Sequence, residues 1–189
     1  MAGSKKKPKT PKTIWIVFWV ALVTFIAGVV FMAWFGEKAL PPTVPEKAKT
    51  KEITLYFSDI HGKGLVAVKK KIDKDNVTRE VTEALNALSA GHIKDKDIVG
   101  ALPPGTRLLS VSIKEGTAFV DFSGEITSNH PGGSSAELQT IYAIVNTVTL
   151  NFPAIKTVQI LVEGQKLETL AGHIMINIPL GPDKAVIKG

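Results

Sequence analysis

The run from Ile14 to Phe35 contains no charged side chain, and Lys5, Lys6, Lys7, Lys9 and Lys12 stand just ahead of it. No other feature constrains the chain as strongly. At 1.5 Å rise per residue a helix over residues 14–35 reaches across the roughly 30 Å hydrocarbon core of a bilayer. Each Ile, Leu, Val or Phe in such a span favours insertion by roughly 0.3 to 0.6 kcal/mol, and Thr24 and Gly28 interrupt it only mildly. Trp15, Trp19 and Trp34 lie near the two ends, where indoles settle at headgroup level. An export signal has a shorter apolar region and a small-x-small cleavage site. Here the run exits through Ala33, Trp34, Phe35, Gly36 and Glu37, which offers no such site. The expectation is an uncleaved signal anchor, with Ile14, Trp15, Trp19, Trp34 and Phe35 marking its ends.

The five lysines lie on one flank, and cations next to a span resist translocation and meet anionic headgroups. Residues 1–13 are therefore expected in the cytoplasm, and everything after Phe35 on the far side of the inner membrane, periplasmic or extracellular. The same lysines account for the basic balance. The chain has a net charge of +6, but without those five it carries 23 − 5 = 18 basic against 17 acidic residues. A nearly neutral remainder has no phosphate-binding footprint, so a nucleic-acid partner is not expected. The chain has no cysteine, which excludes disulfides, thiolate metal sites, a cysteine nucleophile and lipidation at cysteine.

After the span, residues 36–52 hold Pro41, Pro42 and Pro45 among alternating charges. Prolines favour extended polyproline structure, so this stalk can hold a domain as far as about 50 Å from the bilayer. Residues 53–180 then read as one domain, followed by a tail at 181–189. "ITLYFS" and "LVAVKKKI" read as strands around a turn at Gly62 and Gly64. In "NVTREVTEALNALSAG", Val77, Val81, Ala84, Leu85 and Leu88 recur at helical spacing and Gly91 closes the helix. Leu109, Val111 and Ile113 alternate with polar residues, Glu115 and Gly116 turn the chain, and Ala118, Val120 and Phe122 alternate on the return, which predicts a hairpin. A second helix follows, with Leu138, Ile141, Tyr142, Val145, Val148, Thr149 and Phe152 on one face and Ser134 with Glu137 fitting a capping box. "TVQILVEG" predicts a strand, and "GHIMINIPL" a short closing strand or a packed tail. The order implies an α+β fold: a two-layer sandwich of a mainly antiparallel sheet with two helices on one face, behind a single transmembrane helix.

"LYFSD" at 55–59, "LVAVKKKI" at 65–72, "LPPGTRLLSVSIKEGTAFVDFS" at 102–123, "NTVTLNFPAIKTVQILVEG" at 146–164 and "GHIMINIPL" with His173 occur in one order. Together they resemble the GerMN domain family of sporulation and spore germination proteins, over roughly 53–180. The resemblance implies a small α+β module outside the cytoplasmic membrane, similar to the ring-building folds of envelope assemblies, acting in binding or assembly and not as an enzyme. The chain departs from the family pattern at Ala67, where proline is common, and at "SAGHIKDKD", and it has one copy where the family's namesake has two.

Chemistry-bearing residues are sparse. His61, His92, His130 and His173 show neither HxxxH nor HExxH spacing, so no metal is expected, and no motif calls for a cofactor. Ser123 follows Asp121 without a GxSxG elbow and reads as a turn residue. Asp121, Glu125 and His173 are the one set from which a hydrolase could be assembled. Asp121 otherwise sits on an outward strand face or bonds turn backbone. The loop "SNHPGGSSAE" carries Gly132, Gly133, Ser134 and Ser135 to the start of the second helix, where free N–H groups and the helix dipole favour an anion or a partner's carboxylate. It lacks the lysine of a phosphate-binding loop, so nucleotide is not expected. Three functions fit. The leading one is a tethered module that assembles with itself or with other envelope proteins, held by membrane lipids. The others are a peptidoglycan-binding module and an envelope hydrolase using Asp121 and His173.

Overall fold

The computed structural model describes residues 12–35, 49–91 and 97–188. Lys5, Lys6, Lys7 and Lys9, residues 36–48 of the expected stalk and His92 lie outside the described residues, and the end of that stalk, from Thr50 to Glu52, belongs instead to the first strand. The chain divides into two units, Met1–Lys47 and Ala48–Gly189. The described residues of the first form one helix, α1 (Lys12–Phe35). From Trp15 to Met32 the large apolar side chains are exposed apart from the half-buried Leu22, so among the described residues this helix has no core to pack on in its own unit. It is long and apolar enough to cross a membrane, a property shared by anchors and by signal sequences. The hydroxyl at mid-span satisfies itself, since Thr24 Oγ1 lies 3.0 Å from the carbonyls of Val20 and Ala21. That is how a polar atom is tolerated in hydrocarbon.

The second unit runs β1 (Thr50–Asp59), β2 (Leu65–Asp73), α2 (Val77–Ala90), β3 (Ile98–Val99), β4 (Leu108–Lys114), β5 (Thr117–Phe122), α3 (Glu125–Ser128), α4 (Ser134–Asn151) and β6 (Thr157–Val162). Helix α2 follows its sequence signals closely. The Asn76 side chain accepts from Arg79 N at 3.0 Å, and Gly91 ends the helix at φ 59 with its N–H on Leu88 O. Val81, Ala84, Leu85 and Leu88 are fully buried, while Val77, counted on the same face from sequence, is exposed at the first turn. The β4–β5 hairpin turns at Glu115 and Gly116, both at positive φ, as a two-residue turn between twisted strands requires. A bulge between Leu108 and Ser110 breaks the alternation there, which turns Leu109 outward at 49% exposure. The sequence pattern had placed Leu109 inward, and the extra residue is the reason it is not.

The fold is α+β, as expected. Its strands form two three-stranded sheets, ordered β2-β1-β3 and β4-β5-β6. All pairs are antiparallel except β5 with β6, which run parallel with Thr117 opposite Thr157. Helix α4 makes the connection between those two strands and packs against β1, β6 and α2. Two sheets arise in place of one because α4 occupies an edge of β1. Asn151 Oδ1 accepts from Thr54 N at 2.8 Å, its Nδ2 donates to Thr54 O at 2.6 Å, and Thr147 Oγ1 accepts from Tyr56 N. Side-chain amide and hydroxyl groups thus stand in for a neighbouring strand, and the buried backbone groups stay paired.

The segment after β6 adds isolated bridges, Val158 to Leu180 and Thr169 to Met175, and buries Leu170 and Ile176. The last residues are held as well. Asn146, fully buried, donates to Asp183 O and accepts from Asp183 N, Leu65 bonds Val186 and Lys188, and Ile187 packs on the core.

Candidate functional site

A cleft of about 590 Å³ opens where three loops meet the start of α4. One wall is the end of β1 and its turn, Ser58 to Gly62. A second is the stretch from Val99 to Pro104. The floor is the start of α4 from Pro131 to Thr140. All four residues singled out from sequence, Gly132, Gly133, Ser134 and Ser135, line it. The backbone supplies donors there. The first intrahelical bond runs from Glu137 N to Gly133 O, and the N–H groups of Ser134, Ser135 and Ala136 have no partner among the described residues. A side-chain carbon added at Gly132 or Gly133 would meet nothing within 4 Å, so solvent reaches both.

The capping box expected from Ser134 and Glu137 is not formed. Gly133 is the N-cap and contributes no side-chain bond. Glu137 turns away from its own helix end and is completely buried. Its Oε1 accepts from Leu170 N at 3.0 Å, Ala171 N at 2.8 Å and Ile174 N at 3.2 Å, and its Oε2 from His173 N at 2.9 Å. His173 Nδ1 lies 3.1 Å from the same Oε2. Burial pushes this carboxyl up, but the N–H groups of Ala171, Ile174 and His173 and the His173 ring outweigh it and hold the group below its ordinary value. The Glu137 carboxylate gains more from four main-chain donors than from the single helix N–H that a capping box would offer it. The start of α4 is thereby left uncapped.

A relay of hydrogen bonds fixes the floor. Gly132 N donates to His130 Nδ1 at 3.0 Å, His130 Nε2 lies 3.3 Å from Thr140 Oγ1, and Thr140 Oγ1 donates to Ala101 O at 2.7 Å. Because Nδ1 accepts, the ring is neutral with its proton on Nε2. Burial lowers its basicity, against the opposing effects of the Glu137 charge and the Ala136 carbonyl. Gln139 is 5% exposed, and its Nε2 donates to Gly62 O at 2.9 Å and Ser135 Oγ at 3.3 Å. Its Oε1 has no partner. At the β1 end, Asp59 accepts from His61 N and from Lys188 Nζ at 2.9 Å. The Lys188 ammonium and the His61 N–H hold its carboxyl below the usual range, so the one acidic wall residue is neutralised in place.

Among the described residues no hydrogen bond joins Asp121, Glu125 and His173 to one another. Asp121 Oδ1 accepts from Gly164 N at 2.8 Å, on the turn after β6. Glu125 lies 3.5 Å from Arg107, with its carboxyl lowered by the Ser123 hydroxyl, its own N–H and Arg107. His173 is engaged with Glu137. Ser123 is buried and accepts from Arg107 N, as a turn residue does. Among the described residues no three His, Asp or Glu side chains gather as metal ligands. Gln139, Asp59, His130 and the Val99–Pro104 wall were missed from sequence. For His130 a signal was present, a histidine two residues before a glycine pair, and its partners Gly132 N and Thr140 Oγ1 are near in the chain, but only the folded loop brings them to the ring.

Residues 54–168 match the family model described as Germane: Sporulation and spore germination. No curated protein matches. Several solved structures are similar. A Clostridium perfringens protein described as a lipoprotein is 27% identical, with a TM-score of 0.52 over 70% of this chain and 87% of that one. The tandem GerMN domains of the sporulation protein GerM from Bacillus subtilis are 24% identical, with a TM-score of 0.55 over 71% of this chain and 46% of that one. The first GerMN domain of the same protein is 21% identical, with a TM-score of 0.52 over 71% and 98%.

Proposed function

Because this chain belongs to the Germane family of sporulation and spore germination domains, we propose that it is a membrane-anchored, extracytoplasmic module that binds or assembles with proteins of the cell envelope. Helix α1 and the lysines before it would hold it in the inner membrane with the amino terminus inside, by the rule that cations stay on the cytoplasmic flank. One observation carries the binding role. The cleft at the start of α4 offers unpaired main-chain donors between apolar walls, while the nearby ionisable groups are committed to structural bonds. A recognition surface needs such donors, whereas an enzyme needs a poised acid, base or nucleophile. Asp121, Glu125 and His173 are each engaged separately, which favours binding over hydrolysis.

The test is chemical crosslinking in intact cells, followed by isolation of the full anchored chain. Envelope proteins or further copies of the chain are the expected partners. Recovery of cytoplasmic proteins alone would overturn both the orientation and the role.

A further inference from the structure

The cleft's chemistry identifies the class of partner more closely. Resting on the binding role above, we propose that the cleft captures the free carboxyl end of an extended protein chain. The carboxylate would sit on the Ser134, Ser135 and Ala136 N–H groups, with the preceding residues lying along the β3 edge.

Four observations bear on this. The three N–H groups at the start of an 18-residue helix are unpaired and carry the positive end of its dipole, which selects a carboxylate. Independently, Gln139 lines the same cleft, is 5% exposed, and leaves Oε1 without a donor. Its orientation is fixed, because Nε2 must face the Gly62 carbonyl. A carboxylate alone cannot satisfy an acceptor, but the amide N–H of a peptide's last residue can. The ligand therefore needs an acid group and a donor close together, as a chain terminus has. Third, the mouth is apolar: Ile60 is 49% and Val99 40% exposed, beside Pro103 and Pro104. Fourth, β3 ends its sheet, and the side of it away from β1 has no ladder partner among the described residues. An all-L chain can add to such an edge by main-chain bonds while its side chains meet Ile60 and Val99. A chain ending in D-residues would break the alternation that edge pairing needs. Asp59 opposes an anion, but Lys188 already pairs with it.

The test uses the full chain, isotope-labelled in detergent micelles, with a short acetylated L-peptide ending in Val-Ala-Val. Its free acid, its carboxamide and the analogue with D-residues at the end are compared by amide chemical shifts. The acid should move the Ser134, Ser135 and Ala136 resonances and bind about tenfold tighter than the carboxamide, the value of one charge-assisted contact. Proline is well tolerated at the first helical position but has no N–H, and Gly133 before it already has an extended ψ of 141. Ser134→Pro should therefore keep the fold and weaken the acid several-fold, and Gln139→Leu should do likewise. Equal binding of acid and carboxamide, no binding at millimolar peptide, or an unchanged affinity in Ser134→Pro overturns the proposal. Tighter binding of the D-analogue overturns the protein partner in favour of a wall peptide. Crosslinking of envelope proteins in cells alongside any of these failures would leave the broader binding role standing.

Discussion

Helices α2 and α4 are alike in sequence at first sight, each an apolar stripe between turn residues, yet they do different work. Helix α2 is amphipathic: Val81, Ala84, Leu85 and Leu88 are buried and its caps come from its own neighbourhood. Helix α4 is buried on almost every side, with Glu137, Gln139, Thr140, Asn146, Thr147 and Thr149 inside along with its aliphatic residues. Apart from Thr149, whose hydroxyl bonds Val145 O in the same helix, those polar groups reach segments far away in the chain: the loop at 170–174, the Gly62 and Ala101 carbonyls, the Asp183 backbone and the edge of β1. Burial of apolar area holds α2, helped by one long-range bond from Lys51 Nζ to the buried Glu80 Oε2 at 2.9 Å, whereas α4 is held by area plus a whole set of such bonds. A helix of the second kind can present an uncapped end, because its stability does not depend on that end.

The largest expected break in this comparison is Glu137→Ala. Four main-chain N–H groups would lose their acceptor in a dry site, so unfolding by urea should show a loss of about 3 to 5 kcal/mol. A loss below about 1 kcal/mol would mean that the 170–174 loop is held by its apolar residues instead. On the other helix, Leu85→Ala should cost about 3 kcal/mol through lost burial and a cavity, with no local loosening of any loop. Asn151→Ala should cost about 2 kcal/mol, since Thr54 then loses partners for both its N–H and its carbonyl. Hydrogen exchange should place that loss at β1 and leave β4–β5 protected.

Acid sharpens the contrast. Both Glu137 and His130 have values lowered in the folded protein. Each therefore contributes stability that is present above its unfolded value and is lost as pH falls through the folded one. Urea midpoints from about pH 7 to about pH 4 should start to fall below roughly 6.5, where the unfolded chain's histidine takes a proton that folded His130 resists, and fall faster below roughly 4.5, where the same holds for Glu137. His130 faces Glu137, the Ala136 carbonyl, Thr140 and the Gly132 N–H, and its protonation removes the acceptor for the last of these. Glu137→Gln should flatten the lower part of the curve and leave the upper part in place. The smallest effect belongs to α2. Asp75→Asn breaks an exposed ion pair with Arg79 at 2.9 Å and should change stability by at most about 0.5 kcal/mol.

Legibility from sequence followed the range of each interaction. Caps, periodicity and the Glu115–Gly116 turn are local, so α2, the hairpin and the α+β class could be read directly. Leu109 was misplaced because a bulge adds a residue that alternation does not record. Glu137 matched the spacing of a capping box, but its actual donors lie on a loop that only the fold brings near. The split into two sheets was hidden for the same reason, since Asn151 and Thr147 look like ordinary helix residues until β1 lies beside them. In the cleft, Gly132 to Ser135 were evident from helix-start chemistry, whereas the walls at Asp59 and Val99–Pro104 come from elsewhere in the chain.

Site-specific photocrosslinking in cells tests the central claim, that the start of α4 and its cleft form the working surface. A photoreactive residue replaces Val99, at the cleft mouth, or Leu109, also exposed on β4, in the full anchored chain. Discrete adducts with an envelope protein or a second copy from position 99, and none from 109, are predicted. The same adducts from both positions, or from 109 alone, would contradict it.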